Sequence, residues 1–284
     1  MTSATPRNHR ASRSSVAPVF TVFTPSHRGG RGSPLVALHG FTDTWRTWEL
    51  VLPALERRHD VFAPTLPGHA GGPPLDPDVT TGRVLDAVER VLDEAGIGTA
   101  HLVGNSLGGY VALHLAARGR AESVVALAPA GGWIPGDPAF TELLRSYTRL
   151  QEQARAAAPH AKALLATRAG RRRVTEPLVV RFEHIPVDLL AHQMLGMASC
   201  RAVGPLAENA LREGYALDAA RIACPVRIVW GTEDRLLPWP AAATRYRREW
   251  LPQADWVELE EVGHAPQLDV PLETAQLILG VTGG

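Results

Sequence analysis

The 284-residue chain balances 29 Lys+Arg against 29 Asp+Glu, so no overall basic field recruits nucleic acid. A chain of this length buries about three quarters of its unfolded surface and needs neither disulfide nor metal to hold its core. The two cysteines, Cys200 and Cys224, form no framework, no Cys/His cluster has zinc spacing, and a reducing, cytoplasmic home is expected.

Residues 1–15 are rich in Ser, Thr and Arg and read as a disordered leader, without the apolar core of a secretory signal. Val16 to Phe23 reads as an edge strand and Ser26 to Gly32 as a turn. Pro34–Leu38 is apolar throughout, as a strand buried on both faces of a parallel sheet should be. It empties into His39-Gly40-Phe41, and helical text then runs to Leu55. Asp60–Ala63 is a short strand whose exit, Pro64 to Pro74, is a loop rich in Gly and Pro. Thr80–Ala95 places Val84, Leu85, Val88, Val91 and Leu92 at helical spacing. Ala100–Val103 is the next strand, followed by Gly104-Asn105-Ser106-Leu107-Gly108-Gly109 and a helix from Tyr110 to Ala117. Ser123–Leu127 is one more strand. No segment approaches the ~20 apolar residues of a membrane span.

The rhythm breaks near Ala130. From Gly131 to Ala220 only helical stretches are legible: Phe140–Ala158, Pro186–Met197 and Pro205–Glu213. Arg171-Arg172-Arg173 within them reads as a solvated face. Alternation resumes with the strand Pro225–Trp230, a helix near Ala241–Trp250, the strand Trp256–Leu259 and a helix over Leu272–Leu279. The fold class is therefore α/β: a mostly parallel sheet with helices on both faces, built from residues 16–130 and 221–284. Residues 131–220 form a helical insertion, placed after the sixth or so strand.

Gly104-x-Ser106-x-Gly108 between a strand and a helix is a nucleophile-elbow pattern, a turn so tight that its flanking positions must be glycine. The helix start behind Ser106 points free N–H groups at developing negative charge. Ligands of open parallel sheets bind beyond the carboxyl ends of the strands. Three chemically competent residues stand there in the order Ser106, Asp234, His264, an order expected for serine catalysis on such a sheet. Glu233 is the rival of Asp234. His39 also ends a strand, where a supporting role suits it better than that of the base.

His39-Gly40-Phe41, Leu66-Pro67-Gly68-His69, Gly104–Gly109, Gly231–Leu237 and Gly263-His264-Ala265-Pro266 together resemble the α/β-hydrolase superfamily, over nearly the whole chain. Thr65 departs from an acidic residue common in that family, and Ala70 from a glycine. The resemblance implies an esterase-type serine hydrolase in which Ser106 is the nucleophile, His264 the base and Asp234 its orienting carboxylate. It also implies an oxyanion hole from the backbone N–H groups of Phe41 and Leu107, a helical cap over residues 131–220, and no metal or organic cofactor. A pocket between sheet and cap is expected to use Phe41, Trp45, Trp133, Met194, Met197 and Leu236. The partner is then a small, partly hydrophobic ester-like molecule, bound by a monomer or homodimer. Two alternatives stand beside this reading: a carbon–carbon bond hydrolase of the meta-cleavage type, and a ligand-binding or receptor protein on a hydrolase scaffold.

Overall fold

The computed structural model describes residues 22–76 and 78–283. The expected leader and most of the expected strand Val16–Phe23 lie outside the described residues, and Val22 and Phe23 belong to no strand. The first strand is instead β1 (Ser26–Gly30), in the stretch expected to turn. It runs antiparallel to β3 (His59–Pro64), and its polar residues suit a sheet edge, where Arg28 also bonds the Asp60 carboxylate of β3.

β2 (Ser33–Leu38) follows, then a short 3₁₀ turn Trp45–Trp48 and α1 (Leu52–Leu55). After β3 come α2 (Thr81–Glu94), β4 (Ala100–Asn105), α3 (Leu107–Ala117) and β5 (Ala121–Leu127). Five helices then stand between two strands of the sheet: α4 (Pro138–Ala157), α5 (Ala161–Leu165), α6 (Arg168–Thr175), α7 (Val187–Ser199) and α8 (Val203–Glu213). They follow the fifth strand, one earlier than expected. β6 (Val226–Gly231), β7 (Asp255–Leu259), α9 (Pro266–Asp269) and α10 (Pro271–Thr282) complete the chain. The expected helix near Ala241–Trp250 is a 3₁₀ turn, Ala241–Ala243, followed by a π turn, Tyr246–Trp250.

The sheet order is β1-β3-β2-β4-β5-β6-β7, parallel except at β1. Strand side chains alternate between two dry layers, as the two-residue period requires. Val36, Leu38, Leu102, Val124, Ala126 and Ile228 face α2 and α3. Leu35, Ala37, Val103, Val125, Leu127 and Val229 face α1 and α10. Among the described residues no helix is long and apolar enough to cross a membrane.

Candidate active site

β4 ends in a tight turn. Ser106 sits at φ 53°, ψ −115°, a conformation costly for any residue with a Cβ and one that persists only where its surroundings impose it. They impose it through two glycines. A Cβ on Gly104 would stand 2.2 Å from the Gly108 carbonyl oxygen, and one on Gly108 would stand 2.1 Å from that of Leu38. The Ser106 N–H is held by the Leu127 carbonyl at 2.9 Å, and its own carbonyl accepts from Ala130 N–H at 3.0 Å. Leu107 opens α3, so its N–H is among the helix's free first-turn donors.

The β2 exit loop packs on the same turn. A Cβ on Gly40 would reach Ser106 Cβ at 3.4 Å, which places the following Phe41 backbone beside the serine. His39 anchors this loop: Nδ1–H donates to the Gly40 carbonyl at 2.7 Å, and Nε2 accepts from Leu66 N–H at 2.8 Å. Burial, with His69 alongside, holds the His39 imidazole well below its ordinary pKa, which keeps it neutral in this bridging role.

Asp234 follows β6 and His264 follows β7. Asp234 Oδ1 accepts from Leu236 N–H at 2.9 Å and Leu237 N–H at 2.7 Å, leaving Oδ2 for the His264 Nδ1–H at 2.7 Å. Both side chains are buried, whereas Glu233 is exposed. The His264 loop reaches back across β6 because Gly231 lets it: a Cβ there would stand 2.2 Å from the Val262 oxygen. His264 Nε2 is buried and has no hydrogen-bond partner among the described residues, and the ring lines the same cavity as Ser106.

Three supporting groups carried no legible role in the sequence. Asn105 Nδ2 donates to the carbonyls of Leu127 at 3.2 Å and His264 at 3.0 Å, tying the β4 turn to the histidine loop. Gln267 donates to Asn105 Oδ1 and to Thr47 Oγ1. Asp269, buried, accepts from the N–H groups of Gly263 at 2.7 Å, Val180 at 2.9 Å and Arg181 at 2.7 Å, so one carboxylate joins the histidine loop to the helical insertion. Asn105 lies inside a motif that draws attention. Asp269 has no sequence signal, since its partners are all backbone groups and two of them lie almost ninety residues away.

Of the residues expected in a pocket, Phe41, Met194, Met197 and Leu236 line a cavity of about 430 Å³ with Ser106 and His264. Trp133 lines a second, smaller cavity with Phe41 and Ser106. Trp45 lines neither. Its ring stacks on His27 at 5.1 Å and its Nε1–H donates to Thr24 Oγ1 at 2.8 Å, because the turn it opens directs Trp48 into the core instead. Asp43 also lines the large cavity, where burial pushes its carboxyl up to about 6 against the hydrogen bonds it accepts from Thr44 N–H and Gln193. Among the described residues no group of three His, Cys, Asp or Glu side chains is placed to hold a metal ion.

Comparison with known proteins gives the same picture of relationship. The profile described as "Alpha/beta hydrolase family" matches residues 35–277. The chain is 33% identical over 196 residues to the epoxide hydrolase EphH of Mycobacterium tuberculosis, covering 69% of this chain and 91% of that protein. It is 32% identical over 256 residues to the pimeloyl-[acyl-carrier protein] methyl ester esterase of Chromobacterium violaceum, covering 84% of this chain and 90% of that one. Among solved structures, the 2-hydroxy-6-oxo-6-phenylhexa-2,4-dienoate hydrolase of Rhodococcus sp. strain RHA1 superposes with a TM-score of 0.71 at 19% identity, covering 93% of this chain and 98% of the other, a likeness of fold. A match over most of the chain, on a seven-stranded sheet of this order, makes the protein a member of the alpha/beta hydrolase family.

Proposed function

We propose that this protein is a serine hydrolase that cleaves a carboxylic ester or related acyl bond of a small, partly hydrophobic molecule through an acyl-enzyme. The observation that carries the reading is the free, buried Nε2 of a histidine whose other nitrogen is bound to a carboxylate, in one cavity with a serine at a glycine-enforced elbow. Hydrogen bonds between such a base and its nucleophile often tighten only when substrate is bound.

In this mechanism His264 Nε2 takes the proton of Ser106 as Oγ attacks the carbonyl carbon, then delivers it to the departing oxygen. Asp234 fixes the tautomer that leaves Nε2 unprotonated and steadies the imidazolium. The oxyanion lies against the N–H groups of Leu107 and Phe41, each worth about 3–4 kcal/mol of barrier. Water then repeats the sequence on the acyl-enzyme. The helices α4–α8 act as a cap over the site.

The activity in the name of the M. tuberculosis relative does not transfer to this nucleophile. Attack of a serine alkoxide on an epoxide carbon leaves an ether, which water cannot cleave by this machinery. Attack on a carbonyl leaves an ester, which it can. Ester-cleaving chemistry, as in the name of the C. violaceum relative, is what a serine at position 106 supports. A fluorophosphonate probe tests the assignment: one adduct mapped to Ser106, abolished in His264→Ala, is expected. An unlabelled Ser106 in folded protein removes the reading in favour of a binding role.

A further inference from the structure

Two cavities meet at Ser106, and they differ in size, lining and access to the base. The smaller, about 70 Å³, is lined by Tyr110, Trp133, Phe140 and Tyr215, with Leu143 and Leu206. The larger, about 430 Å³, runs beneath α4, α5, α6 and α7 past Met194 and Met197. Among the described residues Phe41, Ser106 and Tyr147 alone line both, and the rings of Phe41 and Tyr147, 4.6 Å apart edge to face, form the partition. His264 belongs to the large cavity and Leu107 to the small one.

This asymmetry assigns the two halves of a substrate, given the acyl transfer proposed above. The carbon attacked by Ser106 carries three other groups: the oxyanion, the acyl substituent and the leaving oxygen. The leaving oxygen must receive its proton from His264 Nε2, so it departs on the side of that nitrogen, into the large cavity. The oxyanion faces the Phe41 and Leu107 amides, and the acyl substituent takes the direction that remains, into the small aromatic cavity. In acylation the bond from carbon to Oγ forms, the bond from carbon to the leaving oxygen breaks, and the serine proton ends on the alcohol. In deacylation water enters through the space the alcohol vacated and gives a proton to His264. The acid is released as Ser106 regains its proton.

We propose that the substrate is an ester of a short or single-ring acid with a much bulkier, mainly apolar alcohol. If one water-sized atom needs about 10–15 Å³, the small cavity admits about five to seven heavy atoms and the large one about thirty to forty. The aromatic walls suit a flat or short chain: Tyr110 and Tyr215 stand 4.7 Å apart, Phe140 and Tyr215 5.5 Å, and Trp133 and Phe140 5.7 Å.

Two ester series test this, one of p-nitrophenyl acetate, butyrate and octanoate, the other of methyl, hexyl and 2-naphthyl acetates. Wild-type kcat/KM is expected to fall at least tenfold from butyrate to octanoate and to hold or rise as the alcohol of the acetates grows. Phe140→Ala should raise the octanoate-to-butyrate ratio at least tenfold, whereas Met194→Ala should not move it. A ratio needs only enough folded enzyme to measure, so partial loss of stability does not mask the result. Preference for octanoate with rejection of the bulky acetates overturns the inference, as does a ratio that responds to Met194→Ala rather than Phe140→Ala. Labelling of Ser106 by a fluorophosphonate without turnover in either series overturns it as well, while leaving an active nucleophile in place. A Ser106 that neither labels nor turns over removes the acyl-transfer mechanism and this inference with it.

Discussion

The sheet and the helical insertion are stabilised in different ways. In the sheet, backbones touch where glycines permit it, at Gly104, Gly108 and Gly231, and the strands between them are buried on both faces. The insertion is held by several smaller clusters: Tyr147 with Cys200 and Val203, Leu144 with Ala207 and Ala210, Ala154 with Met194, and Leu165, Val179, Phe182 and Leu189 with Ala265 and Leu268 of the histidine loop. Its seam with the sheet includes a handful of polar ties, among them Gln193 to Asp43, His192 to Thr44, Arg46 to Asp188, and Asp269 to residues 180 and 181. The proposed nucleophile and base thus stand on the sheet, while much of the wall of the large cavity belongs to the insertion. Chemistry needs positional accuracy, and the glycine-locked turns of the sheet supply it.

The largest effect should come from breaking the sheet side at its turn. Gly104→Ala places a methyl against the backbone at 2.2 Å, with nothing flexible to yield. Loss of folded protein, or destabilisation above about 4 kcal/mol, is expected by thermal melting. Next, Asp234→Asn keeps the shape of the pair but offers His264 Nδ1 an amide. The kcat is expected to fall about 10⁴-fold with an unchanged melting temperature, as the tautomer argument requires. An activity within tenfold of wild type would return the role to another carboxylate.

The seam itself is tested at Asp269. Asp269→Ala leaves three N–H groups without their acceptor, for about 3–5 kcal/mol of stability. Limited proteolysis should then cut first around residues 176–186, where the insertion meets the histidine loop. Cleavage spread evenly over the chain would deny the seam its special place. The smallest effect is at Asp43, whose carboxyl is pushed up to about 6 by burial. The folded state therefore binds this proton more tightly than the unfolded state. Its stabilising contribution is present at pH 4 and is lost as pH rises through about 6. Asp43→Asn removes that dependence. Melting curves should show the variant gaining a few degrees on wild type between pH 4.5 and 7.5, and parallel curves would contradict the assigned pKa direction.

The parts of the molecule that sequence makes legible are those with strong local rules. Two-sided burial writes an apolar strand into Pro34–Leu38, and the elbow writes glycines at 104 and 108. The order Ser106, Asp234, His264 follows from strand ends alone. What was not legible depends on partners distant in the chain. β1 is polar because an edge pairs through backbone, so Ser-His-Arg-Gly-Gly looks like a turn until β3 is beside it. Trp45 has the bulk of a pocket residue, but the capped turn it begins sends Trp48 inward instead. The division of the space at Ser106 into two chambers depends on Phe41 meeting Tyr147 across more than a hundred residues, which no local pattern encodes.

The most direct test of the central claim is turnover of p-nitrophenyl butyrate by wild type beside Ser106→Ala, with both proteins shown to be folded. The account predicts a rate loss of about 10⁴–10⁶ in the variant, and a stoichiometric acyl adduct on Ser106 of the wild type when the reaction is quenched early. Equal rates in the two proteins, with no adduct at Ser106, would contradict it.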